Sequence, residues 1–186
     1  MHHTLRNAAC SSSQFQKQSS IIALWAAPVF DRSMKMQSNA DVVLDVFRAV
    51  EQRDRDGLFA AYHDDVELVE ARSLPYGGNF RGKDALRQQL EATPEKTWLG
   101  TWGPLQPTPA ERRMDPRVIA TVGAEVTVAY TQRAVSPDGE RFESPVLGLY
   151  EVRDGKFARA QMFHFDTAAI LRFLERASSA HAGFGG

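Results

Sequence analysis

The chain has 186 residues, 43% of them hydrophobic and 24% charged, with a formal net charge of −1. That length and balance suit one globular domain and exclude wholesale disorder, a collagen-like fibre and a strongly basic nucleic-acid binder. The single cysteine, Cys10, permits no internal disulfide, and no stretch approaches the ~20 apolar residues that span a bilayer.

Residues 1–30 contain no acid; the first is Asp31. Small and polar side chains dominate there, interrupted by one apolar run from Ile21 to Phe30. Arg6, Lys17, Arg32 and Lys35 are the only bases before Met36, and Asp31 the only acid, so the body of the chain carries −4. Two readings are open: a disordered tail preceding a start at Met34 or Met36, or a processed targeting segment with Ile21–Phe30 as its apolar core. The expected organisation is a leader over 1–37, a folded domain over 38–177 and a frayed tail over 178–186. The domain is expected in the cytoplasm unless the leader directs it elsewhere.

Ser38 with Asp41 has capping-box spacing, and Val43, Val46, Phe47 and Val50 recur at helical intervals, which predicts a helix to about Arg53. Asp56 is placed to cap a short helix, Leu58–Tyr62. A strand follows over Val66–Glu70, then a loop through Pro75, Gly77 and Gly78. Ala85, Leu86 and Leu90 stripe a third helix that Thr93-Pro94 stops. Residues 95–116 read as a long irregular segment holding Trp98, Trp102 and four prolines, a length that usually serves a site. The periodicity then drops to two, predicting strands over 117–122, 125–135, 141–153 and 156–165. Ser136-Pro137-Asp138-Gly139 and Asp154-Gly155 supply the turns. A closing helix is expected from Thr167 to about Arg176. Helices followed by a meander of antiparallel strands make an α+β fold, a curved sheet wrapped on N-terminal helices as a cone with an internal pocket.

Several of these segments carry a resemblance. Asp54-Arg55-Asp56-Gly57-Leu58-Phe59, Tyr62-His63-Asp64-Asp65-Val66, Gly78-Asn79-Phe80-Arg81-Gly82-Lys83-Asp84-Ala85-Leu86, Asp154-Gly155-Lys156 and Phe163-His164-Phe165-Asp166 together resemble the nuclear transport factor 2-like superfamily. Within it the chain is most similar to the SnoaL-like polyketide cyclase branch, over Ser38 to Leu174. The resemblance implies the cone fold and a pocket, but it does not choose among isomerases, dehydratases, hydrolases, cyclases and binding proteins.

Period two places Val66, Leu68 and Glu70 on one face of the first strand. A carboxylate ending an apolar face is a candidate general base, because apolar surroundings disfavour its ion. Glu70 also falls where the similar ketosteroid isomerases carry their base, although their tyrosine and second-acid positions align with Val46 and Leu147. The other reading of Glu70 is a strand-end charge that meets solvent or pairs with Arg72 or Arg81. In the last strand Ala158, Ala160, Met162 and His164 alternate away from Phe157 and Phe163, and the resemblance implies that this small-residue face lines the cavity. His164 is then a proton shuttle, or else a packed core histidine. Asp166 is expected to cap the closing helix. Tyr76, Trp98, Trp102, Tyr130 and Met162 are the candidate ligand contacts, with the tryptophans forming either a lid or a plug at the cone mouth.

No metal is expected, since His2, His3, His63, His164 and His181 offer no zinc-ligand spacing. No cofactor is expected either: Gly77-Gly78 lacks the lysine and helix of a phosphate loop. The expected partners are a small apolar or amphipathic ligand and a second copy of the chain through the sheet, with no nucleic acid and no membrane. Three functions stay open: a cofactor-independent acid/base enzyme of cyclase, isomerase or dehydratase type, a non-catalytic carrier, and a dimeric interaction module.

Overall fold

The computed structural model describes residues 37–183. The expected leader lies outside them, as does the lone cysteine.

Helix α1 (Asn39–Gln52) starts at Ser38, whose hydroxyl accepts the Asp41 amide while the Asp41 carboxylate receives the Ser38 N–H, the predicted capping box. Its stripe of Val42, Val43, Val46 and Phe47 is buried, and Arg53 ends it in the left-handed conformation. Helix α2 (Arg55–Ala61) is capped by Asp54, which accepts the Gly57 N–H at 2.9 Å. Asp56, the expected cap, lies in the first turn instead, where its charge still favours the helix dipole.

Strand β1 (Tyr62–Glu70) is followed by β2 (Gly78–Arg81) within the segment expected to be a loop. The missed strand pairs Phe80 with Leu68 and Gly78 with Glu70. Helix α3 (Lys83–Ala92) comes next. The segment expected to be irregular winds into a 3-10 turn (Pro94–Lys96), α4 (Trp98–Trp102), a second 3-10 turn (Gly103–Leu105) and α5 (Pro109–Arg112). These pieces are too short for a periodic signal but carry side-chain caps: Thr97 accepts the Gly100 amide, and Thr108 forms a capping box with Glu111.

Strands β3 (Arg117–Val122), β4 (Glu125–Val135), β5 (Arg141–Arg153) and β6 (Lys156–His164) match the period-two segments closely. Asp154 and Gly155 both take positive φ, 54° and 69°, the geometry of a two-residue hairpin turn. The sheet order is β2-β1-β6-β5-β4-β3. All pairs are antiparallel except β1 with β6, which run parallel because the helical segments return the chain between them. Between Glu151 and Val152 of β5 the register slips, leaving Ala158 of β6 without an opposite residue. That bulge changes the phase of the strand and turns Phe157 inward alongside Ala160 and Met162.

Helix α6 begins at Thr167 as expected, with Asp166 accepting the Ala169 N–H at 2.8 Å. It continues to Gly183 rather than ending near Arg176. The Ser178 and Ser179 hydroxyls bond the Leu174 and Glu175 carbonyls within it.

The inner face of the sheet meets two apolar clusters. The larger unites α1, α2 and the sheet through Val43, Phe47, Leu58, Val66, Tyr130 and Tyr150. The smaller lies under α6 and gathers Leu74, Tyr76, Trp102, Ala134, Ile170 and Phe173. No helix among the described residues is long and apolar enough to cross a membrane.

Candidate functional site: a buried carboxyl–imidazole pair in an apolar cavity

Each long strand carries its apolar inner face to about the same level and then places a polar side chain there. On β1 the run Val66, Leu68 ends in Glu70; on β6 the run Ala160, Met162 ends in His164. On β4, Val126, Val128 and Tyr130 give way to Gln132 before Ala134, and on β5 Ser144 lies directly opposite Gln132. Glu70 is 6% exposed, Ser144 4% and Gln132 fully buried. The His164 side chain is also fully enclosed. A buried polar band therefore crosses the sheet between the two clusters.

Glu70 Oε2 lies 2.9 Å from His164 Nε2. The neighbouring Glu67 points to the opposite face, where it is held by Asn79, Arg81 and Arg159. Arg81 thus belongs to Glu67, and Glu70 neither reaches solvent nor pairs with an arginine. Burial pushes the Glu70 carboxyl up from its ordinary range, and the hydrogen bond and charge of His164 pull it back only in part. The second ring nitrogen of His164, Nδ1, has no hydrogen-bond partner among the described residues.

Beside this pair lies a cavity of about 150 Å³. Its walls come from α1, α2, α3, the Lys96–Leu99 segment and the inner faces of β1, β4, β5 and β6. Among the described residues Glu70 is its one carboxylate. Tyr76, Trp98, Tyr130 and Met162, four of the candidate ligand contacts, line it. Tyr76 is brought there by a tight turn in which the Gly77 amide donates to the Leu74 carbonyl at 2.8 Å. A Cβ on Gly77 would fall 2.1 Å from the Ala71 carbonyl oxygen, so only glycine fits. Burial raises the phenols of Tyr76, Tyr130 and Tyr150, as does the Glu70 charge. They stay protonated and can donate.

Two expectations are corrected. Trp102 does not line the cavity. It is fully buried in the smaller cluster, stacked on Phe173 and Phe142 with ring centroids at 6.3 and 6.1 Å. As the last residue of α4 it faces inward, away from the mouth, and serves as packing. Its indole N–H lies beside the Tyr76 hydroxyl without a well-formed hydrogen bond. His164 is not in the cavity wall either; it stands behind Glu70 and acts on the cavity only through that carboxyl. The position aligned with an isomerase acid, Leu147, is on the outer face and 44% exposed.

Tyr150 is among the lining residues not singled out from the sequence. Period two on β5 already puts Val146, Gly148, Tyr150 and Val152 on one face. A glycine in the interior of a strand marks a close approach. Among the described residues, no group of three or more His, Cys, Asp or Glu side chains could hold a metal ion.

The family model for the SnoaL-like domain matches residues 43–160. No curated protein sequence matches the chain. Among solved structures, TerC co-crystallised with polyporic acid is similar at 24% identity and a TM-score of 0.60, over 74% of this chain and 98% of that one. A nuclear transport factor 2-like protein from Burkholderia xenovorans LB400 is 24% identical with a TM-score of 0.53, over 72% and 93% of the two chains. A candidate polyketide cyclase from Pseudomonas putida KT2440 is 15% identical with a TM-score of 0.53, over 72% and 96%. These likenesses agree with the cone-like α+β architecture, and the family match spans most of the chain, including β1, β4 and β5 whole and β6 as far as Ala160. The chain belongs to the SnoaL-like domain family.

Proposed function

We propose that the cavity takes up a small, largely apolar molecule and that Glu70 moves a proton on it, as in a cofactor-independent cyclase, isomerase or dehydratase. The observation that carries this reading is the single carboxyl in an apolar cavity, hydrogen-bonded at 2.9 Å to a buried imidazole. A carboxylate in such surroundings is a stronger base than in water, since desolvation penalises its charged form. The ionised Glu70 would accept a proton from an activated C–H of the ligand and return it at another atom. His164 would hold the carboxyl in place while the proton, and with it the negative charge, passes between Glu70 and the ligand. Tyr76 and Tyr130 would donate to oxygen atoms of the ligand, and Trp98 would cover its apolar side.

Family membership and the candidate-cyclase neighbour are in keeping with this chemistry. TerC, which was crystallised with polyporic acid, offers an analogy for a small-molecule ligand. The test is native mass spectrometry to identify the bound molecule, followed by turnover assays of Glu70→Gln and His164→Ala. Loss of turnover with retained binding supports the acid/base roles. Turnover equal to the parent in both variants removes them, and binding without any turnover makes the protein a carrier.

The same reading includes a homodimer through the outer sheet face. Leu147 and Phe163 are directly opposite each other on β5 and β6, 44% and 48% exposed, and Phe165 beyond them is 84% exposed. An apolar patch of this kind on an open sheet suits a second copy of the chain.

A further inference from the structure

Tyr150 occupies its place in the cavity because Gly148 has no side chain. Both project from the inner face of β5, and the tyrosine ring folds back along the strand over the glycine. A Cβ on Gly148 would fall 2.1 Å from the Tyr150 hydroxyl oxygen and 2.3 Å from the ring carbon that bears it. The ring is fixed in this position by Phe47, edge-on at 5.8 Å and 86°, and by Phe157 at 5.3 Å. Its hydroxyl therefore sits over Gly148, opposite Met162 of β6, in the same cavity wall as Tyr130 and Glu70.

The polar groups in this wall are selective. Tyr62, Tyr76, Tyr130 and Tyr150 present four phenols, and Glu70 is the sole carboxylate among the described residues. A ligand atom that meets the Tyr150 hydroxyl can accept a hydrogen bond from it. A neutral oxygen suits the position better than an anionic one, because Lys96, the only cation in the wall among the described residues, belongs to the 3-10 turn before α4 and not to the sheet. We infer that Tyr150, seated over Gly148, is the donor that orients the ligand, and that the ligand presents a carbonyl oxygen to it. This rests on the reading of the cavity as a ligand site, and it holds whether or not Glu70 performs chemistry there.

The experiment compares acetophenone with α-methylstyrene, two probes of nearly the same shape in which a C=O replaces a C=CH2. Affinities are measured by NMR titration of the full chain, and the carbonyl stretch of bound 13C-labelled acetophenone by infrared spectroscopy. In Tyr150→Phe the acetophenone to α-methylstyrene affinity ratio is expected to fall about fivefold, the worth of one neutral hydrogen bond, with α-methylstyrene binding unchanged. The carbonyl stretch should move to higher wavenumber. Gly148→Ala should lower the ratio similarly, and Tyr130→Phe should retain most of it. An unchanged ratio in Tyr150→Phe, or a ratio lost only in Tyr130→Phe, overturns the assignment. Failure of either probe to bind the parent protein overturns it together with the cavity reading. A ratio that depends on Tyr150 while Glu70→Gln has no effect on turnover would leave Tyr150 in place and remove the acid/base role.

Discussion

Replacing Glu70 by Gln exchanges a titrating group for a nearly isosteric neutral one that can still accept the His164 N–H. Burial raises the Glu70 carboxyl above its ordinary value of 4.5, with His164 offsetting the shift only partly. Within the interval between 4.5 and that raised value, the folded protein keeps a proton that the unfolded chain has released. Stability then falls with rising pH at about 1.4 kcal/mol per pH unit for this one group. The contribution is complete below the unfolded value and is lost as pH passes the folded one. The Gln variant lacks this loss, while every other titrating residue is common to both proteins and largely cancels in the difference. Urea unfolding at half-unit steps from pH 4 to 8 should show the parent losing ground to Glu70→Gln over one sloping interval, with parallel curves on either side. The width of the interval measures how far the carboxyl is raised. Parallel curves throughout would mean that burial does not perturb Glu70. A parent that gains on the variant as pH rises would mean that the site favours a carboxylate–imidazolium ion pair, the reverse of the reasoning above.

Further predictions concern the frame around the site. Trp102→Ala should cost about 3–5 kcal/mol in urea unfolding, as expected for an aromatic removed from a closed stack, and a loss under 1 kcal/mol would contradict its place in the core. Asp166→Ala should cost about 1 kcal/mol through the lost cap of α6 and leave acetophenone binding unaltered. In sedimentation velocity the chain should be dimeric at micromolar concentration and Phe163→Glu monomeric; a monomeric parent removes the sheet interface. Gln132→Met should raise stability by about 1–3 kcal/mol, because both amide atoms of Gln132 are buried without partners; a destabilised variant would indicate that they are satisfied in solution.

The regular part of the fold was legible because its signals are local and repeated. The valine stripe of α1, the capping box at Ser38 and the Asp154-Gly155 turn each act within a few residues of chain. Glu70 and His164 were legible for a related reason: period two fixes the face, and each is a polar residue at the end of an apolar face. What brings them to 2.9 Å is the parallel pairing of β1 with β6, a contact between residues 94 positions apart with no local mark. The fate of Trp102 is of the same kind. It and Trp98 lie at the two ends of a five-residue helix, yet one lines the cavity and the other packs under α6. Only the orientation of α4 against the rest of the chain decides between them. Strand β2 escaped because four residues are too few for a period, and its ladder depends on the free edge of β1. The Ala158 bulge shows the limit of alternation itself: one extra residue turned Phe157, expected on the opposite face, into the wall of the cavity.

The polar band is costly for a domain of this size. His164 Nδ1, the Tyr76 hydroxyl, the Trp102 indole N–H and both amide atoms of Gln132 are buried without well-formed partners. Each unsatisfied group costs about 1–3 kcal/mol. Methionine or leucine at these places would join the two apolar clusters into one and fill the cone. A chain under selection for stability alone would be expected to make that exchange at some of these positions. Instead Glu70, Gln132, Ser144 and His164 occur on four separate strands, at the level where the cavity ends and the stacked rings of the smaller cluster begin. The stacked rings give that level a rigid backing: Trp102, Phe142 and Phe173 lie nearly parallel, with interplanar angles of 10–24°. Of the unsatisfied groups the Tyr76 hydroxyl alone lines the cavity and is open to a ligand there; His164, Trp102 and Gln132 stand behind the wall. A band that gives up stability beside an apolar cavity is the arrangement expected where something other than packing sets the residues.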